Sequence, residues 1–148
     1  MLRIAKLTDY ATVLMVRLAR DPARCFSAAQ LADELGVPLP TVAKLLKSLL
    51  QARLLTSARG AVGGYTLAHA PHAISVADVV NAIEGPVALT ECSLGKGNCS
   101  REKDCVTRAN WQLISHAVRV ALETVSLADM ALPRMQTIRM PGLQEKTP

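Results

Sequence analysis

Three of the four cysteines fall within one stretch, Glu91-Cys-Ser-Leu-Gly-Lys-Gly-Asn-Cys-Ser-Arg-Glu-Lys-Asp-Cys105. Thiolates are soft donors that bind zinc, iron or copper, and they are also where a protein meets oxidants. Spacing sorts these uses. Structural zinc sites take cysteines in pairs about two to four residues apart, because a tight knuckle gives two thiolates one orientation. Here six residues separate Cys92 from Cys99 and five separate Cys99 from Cys105. A loop that wide, containing Gly95, Gly97 and Asn98, suits a larger object such as an iron-sulfur cluster. Lys96, Arg101, Lys103 and Arg108 lie around the thiols and would offset the charge of a thiolate-bound cluster. Zinc, or three reduced thiols with no ligand, are the alternatives. Cys25 stands alone and is expected to be a small, half-buried apolar side chain.

The elements that must position this loop follow from composition and periodicity. Of 148 residues half are apolar, with one Phe, two Tyr and one Trp. That composition predicts one domain with an aliphatic, mainly helical core. Charges at Arg3, Lys6, Asp9, Arg17 and Arg20 interrupt each early apolar run before it reaches signal-peptide or membrane-span form, so no membrane association and a cytoplasmic location are expected. In that compartment disulfides are disfavoured, which returns the cysteines to metal or redox chemistry. The net charge of +5 resides in residues 1–60, which hold nine Lys/Arg against four Asp/Glu; the remainder is balanced. A basic N-terminal part predicts a polyanionic partner, which the helix-turn-helix pattern in the same residues narrows to double-stranded DNA.

Apolar residues from Thr8 to Ala19 predict a buried first helix with Thr8 as its N-cap. Ser27 and Gln30 form a capping box for a second helix that Gly36 ends. A third helix begins around Pro40 and runs to about Ala52, with Val42, Leu45, Leu46 and Leu49 inward and Thr41, Lys44, Lys47 and Ser48 outward. Two short strands flank Arg59-Gly-Ala-Val-Gly-Gly64. Helix, turn, helix and hairpin predict a mainly α fold, a winged helix-turn-helix with a β-hairpin wing. Ser75 and Asp78 open another helix, and Gly85-Pro86 stops it. The organisation expected is a DNA-binding region over 1–85, a cysteine loop over 86–105, a long dimerisation helix over 106–132 and a flexible tail over 133–148. The longest helical stretch runs from Val106 to about Val125; on it Trp111, Ile114, Val118, Ala121 and Val125 form one apolar row and Leu113, Ala117 and Val120 a second, which a two-fold mate would cover. The candidate DNA contacts are Pro40, Thr41, Lys44, Lys47 and Ser48 on the third helix, whose N-terminal end would enter a major groove, and Arg59 on the wing.

Taken together, LTDYA, LADELGVPLPTVAKLL, SARGAVGGYTLA, ISVADVVNAIEG, the three cysteines, TRANWQ and SLADM resemble the Rrf-type family of dimeric winged-helix regulators. That family includes the cluster regulator IscR, the nitric-oxide-sensitive repressor NsrR and regulators of the SUF cluster-assembly operon. The resemblance spans Leu2 to about Leu132 and looks strongest to the SUF type. It implies a homodimeric transcription regulator or repressor that binds DNA, with an iron-sulfur cluster, 2Fe-2S rather than 4Fe-4S, on Cys92, Cys99 and Cys105. The resemblance to NsrR-like proteins implies that Asp9 of the partner subunit supplies a fourth ligand. A first-turn Asp also stabilises a helix dipole, and Glu91, Asp104 or water stand next in line as ligands. Glu91 and Asp104 adjoin cysteines, and in an extended chain neighbours point to opposite sides.

The chain departs from the family in three places. Arg108 stands where IscR-like members have a histidine three residues after the last cysteine, and a guanidinium does not ligate. Ala61 and Val62 replace the wing's usual proline and first glycine. Ala43 replaces an acidic residue used in base discrimination, so a different operator is expected. No enzyme is expected: His69 and His72 follow the wing, and His116 lies eleven residues past Cys105, about 16 Å along a helix. The alternatives are a thiol- or zinc-based redox regulator of the same fold, or a small iron-sulfur redox protein.

Overall fold

The computed structural model describes residues 3–95, 97–100 and 104–133. Helix α1 (Lys6–Arg20) turns Ala11, Leu14, Met15, Leu18 and Ala19 into the core. Its start differs from expectation. The N-cap is Ala5, which has no side-chain oxygen to offer. Thr8 lies one turn in and is fully buried, and its hydroxyl donates to the carboxylate of Glu84. The same carboxylate accepts the Ala5 N–H at 3.3 Å. A residue 76 positions away thus does the work assigned to Thr8, and an acidic group placed there also suits the positive end of the helix.

Helix α2 (Ala28–Leu35) has the expected capping box, Ser27 with Gln30, and ends on Gly36 at φ 61°. That left-handed residue turns the chain into α3 (Leu39–Gln51), which carries Pro40 in its first turn and buries Val42, Leu45, Leu46 and Leu49. Strands β1 (Leu55–Ala58) and β2 (Gly64–Leu67) pair antiparallel, Leu55 opposite Leu67 and Ala58 opposite Gly64. Phe26 extends this hairpin through two backbone hydrogen bonds with Tyr65, of 3.1 and 2.8 Å. The approach is so close that a Cβ on Gly64 would stand 2.6 Å from the Phe26 carbonyl oxygen, so the wing root requires glycine. The wing is thereby fixed to the turn between α1 and α2. The buried Phe26 ring lies under the guanidinium groups of Arg17 and Arg24, 4.5 and 4.4 Å from its centre.

Helix α4 (Val76–Glu84) is opened by Ser75 with Asp78 and closed by Gly85 at φ 87°. The expected cysteine loop contains one helical turn, α5 (Glu91–Leu94). The helical stretch expected from Val106 to about Val125 is α6 (Arg108–Thr124), and the region expected over 106–132 holds a second helix, α7 (Leu127–Ala131), with Val125 extended between them. The break has a local cause. Ser126 and Asp129 form a third capping box that starts α7 afresh. Backbone bonds from Val76 N–H to Val125 and from Leu127 N–H to Ile74, at 2.8 and 2.9 Å, lock this corner to the start of α4. Leu127 enters the core beside α1. The tail expected beyond residue 133 lies outside the described residues. Among the described residues no helix is long and apolar enough to cross a membrane.

Candidate functional site

The helix-turn-helix and wing present a basic surface. Burial of Val42, Leu45, Leu46 and Leu49 on one side of α3 leaves Pro40, Lys44 and Lys47 exposed on the other, with Thr41 and Ser48 half-buried at its edges. Arg59 is exposed directly after β1, where Gly63 donates to the Gly60 carbonyl at 2.9 Å to close the wing tip. A Cβ on Gly63 would come within 2.4 Å of the Ala58 oxygen, so this turn also demands glycine. The basic residues divide by partner. Arg17 is engaged by Asp21 and Glu34, each at 2.6 Å, and Arg24 by Glu34 at 3.7 Å. The Asp21 hydrogen bond, followed by the Glu34 bond, raises the Arg17 pKa further above its ordinary value. Among the described residues Lys44, Lys47 and Arg59 have no carboxylate partner. Unneutralised cations on one groove-sized helix and its wing are what a phosphate backbone recruits.

The cysteine loop is fastened at both ends to α6. Cys92 lies in α5, 5% exposed, with its sulfur 3.2 Å from the Thr90 hydroxyl. Its carbonyl accepts the Gln112 side-chain N–H at 3.1 Å. Cys105 stands two residues before Thr107, whose hydroxyl is 3.5 Å from its sulfur, and its carbonyl accepts the Arg108 N–H at 3.3 Å. Cys99, between them, is half-buried, as is Cys25; among the described residues the four cysteines form no disulfide. Among the described residues no three Cys, His, Asp or Glu side chains gather closely enough to hold one metal ion. The donor set therefore fits a thiolate-bound group in its chemistry, three reduced sulfurs on one helix-anchored loop, while the three sulfurs do not meet at one point.

The remaining candidates lie apart. Asp9 is exposed in the first turn of α1, at the rim of a cleft of about 260 Å³ that includes Val13, Val16, Leu35 and Met130. Glu91 is exposed in a helical turn rather than an extended chain, so the alternation argument does not apply to it; Asp104 is also exposed. His116 bonds Arg119 at 2.9 Å. Sequence reasoning missed Thr90, whose hydroxyl meets the Cys92 sulfur, and Ser93 and Ser115, whose hydroxyls bond to each other between α5 and α6. The available signal was Ser115, a small hydroxyl residue next to Ile114 in an apolar row. It is the one α6 residue that the chain buries, among those described. Trp111, Leu113 and Ile114 remain 41%, 69% and 45% exposed.

Residues 4–132 match the model of a family described as Rrf2, iron-dependent transcriptional regulator. A putative HTH-type transcriptional regulator, ORF2 of Azotobacter vinelandii, is 32% identical over 149 residues, covering 95% of this chain and 90% of that protein. Among solved structures the chain is similar to CymR (YrzC), the global cysteine regulator of B. subtilis. The TM-score is 0.71 at 30% identity, covering 88% of this chain and 97% of that one. It is also similar to T. potens IscR, with a TM-score of 0.68 at 29% identity, covering 87% and 85%.

Proposed function

The chain belongs to the Rrf2 family of transcriptional regulators, and from that premise we propose that it is a homodimeric, cytoplasmic DNA-binding sensor of iron-sulfur or redox status. It is a regulator and not an enzyme. The observation that carries the sensing role is the fastening of a three-thiol loop, through Cys92 and Cys105, to α6, on which Trp111, Leu113 and Ile114 stay exposed. Cys92, Cys99 and Cys105 would hold the cluster, with 2Fe-2S favoured over 4Fe-4S by the resemblance. When bound, the cluster would supply a centre that oxidants and iron supply can change. Asp9 of the partner subunit is the proposed fourth ligand. Its exposed position on α1, with no side-chain hydrogen bond or ion pair among the described residues, leaves its carboxylate available. Lys44, Lys47 and Arg59 hold phosphates while Pro40, Thr41 and Ser48 line the groove-facing end of α3. Two recognition helices would then meet half-sites about 34 Å apart, or a multiple of that. The genes of SUF cluster assembly are the proposed targets, with repression the proposed mode.

A second reading, thiol chemistry without a metal, is favoured by the likeness to a global cysteine regulator and by three sulfurs that do not converge. The DNA-binding part is tested with genomic fragments selected by the protein anaerobically and then titrated across salt concentrations. Arg59→Ala should weaken binding and lower the salt slope by about one counterion. An unchanged affinity and slope would assign Arg59 to the wing's own structure.

A further inference from the structure

Between Cys92 and α6 runs an unbroken set of hydroxyl contacts. The Cys92 sulfur is 3.2 Å from the Thr90 hydroxyl, which is 2.9 Å from that of Ser93. Ser115 donates its proton to Ser93 at 3.0 Å and accepts the Leu89 N–H at 3.1 Å. We propose that Thr90, Ser93 and Ser115 are positioning residues for Cys92, a hydroxyl chain that fastens its sulfur to the buried side of α6. The chain has a direction. Each hydroxyl carries one proton, and a sulfur bound to metal can only accept. With the sulfur accepting, Thr90 must donate to it, Ser93 to Thr90 and Ser115 to Ser93, while the Leu89 amide supplies the last donor. Ser93 then withdraws its proton from the Trp111 carbonyl, the alternative acceptor 3.4 Å away. A free thiol can donate to Thr90 instead and leave the Ser93 proton on α6. Ligation at Cys92 and the hydrogen bonding of the first turns of α6 are therefore tied together, as outer-shell partners commonly tie a ligand to its scaffold.

This inference rests on the reading of Cys92 as the sensing thiol, and its test is made without any cluster. The full-length protein, kept reduced and metal-free, is treated with iodoacetamide, and modification of Cys92 and Cys105 is followed by peptide mass spectrometry. Losing one ordinary hydrogen bond should raise local opening, so the Cys92 rate should rise about fivefold in Thr90→Val and in Ser115→Ala, with Cys105 unchanged. Ser115 does not touch the sulfur, so an effect there shows transmission along the chain. Thr90→Ser, which keeps the hydroxyl, should restore the wild-type rate. The proposal is overturned if neither variant changes Cys92, if Cys92 and Cys105 rise together, or if Thr90→Ser behaves as Thr90→Val. A protein that never takes up a cluster would defeat the proposed function and leave this result standing.

Discussion

Leu113→Ala should weaken the proposed dimer by about a hundredfold. Leu113 is 69% exposed on α6, beside the half-exposed Trp111 and Ile114. Burying a leucine side chain fully is worth about 2 kcal/mol, so covering the exposed fraction of Leu113 gives about 1.4 kcal/mol. A two-fold interface contains each residue twice, which doubles the loss to roughly 3 kcal/mol, or about two decades in dissociation constant. Sedimentation velocity over a concentration series measures this directly. Val62→Ala is the control: Val62 is exposed on the wing, far from α6 in sequence, and its loss should leave the dimer constant unchanged. A Leu113→Ala dimer as tight as wild type, to within threefold, would show that this face of α6 is not the two-fold contact.

Glu84→Ala removes the acceptor of the buried Thr8 hydroxyl and of the Ala5 N–H, and should cost about 2 kcal/mol, a fall of roughly 6 °C in Tm by calorimetry, with Glu84→Gln losing less. Asp9→Ala should keep fold and dimer but shorten the lifetime of a reconstituted cluster and shift its visible spectrum; an identical spectrum and lifetime would move the fourth ligand to Glu91, Asp104 or water. The hydrogen bonds from the Ser126 hydroxyl and then its backbone N–H hold the Asp129 carboxyl below its ordinary pKa. A depressed folded-state pKa gives stability that is present above the unfolded value and lost as pH falls through the folded one. Asp129→Asn should therefore flatten the acid side of the stability profile, and an unaltered profile would refute the assignment.

How much of this was legible in the sequence depended on how local the cause was. The Ser27–Gln30 and Ser75–Asp78 boxes and the Gly36 stop were readable because each is decided within four residues. The α3 face was readable from its period alone. The end of the long helix near Val125 was readable, but Ser126–Asp129, with the same spacing as Ser75–Asp78, was not read as the start of a separate helix because the apolar positions continue through Val125 and Leu127. The break is enforced by pairing with Ile74 and Val76, some fifty residues away. Thr8 was misassigned for a similar reason, since Glu84 arrives only through the tertiary fold. In the candidate site, residue types and spacing marked the thiols. They could not show that Thr90, Ser93 and Ser115 fasten one of them to α6, because those contacts join segments more than twenty residues apart.

The central claim, that Cys92, Cys99 and Cys105 together hold an iron-sulfur cluster, is tested most directly by the anaerobic ultraviolet-visible spectrum of the purified protein beside those of Cys92→Ala, Cys99→Ala and Cys105→Ala. The account predicts a broad charge-transfer profile in the wild type that is lost from each variant while the variants stay folded and dimeric. Colour persisting in all three variants, or a colourless wild-type protein, would contradict it.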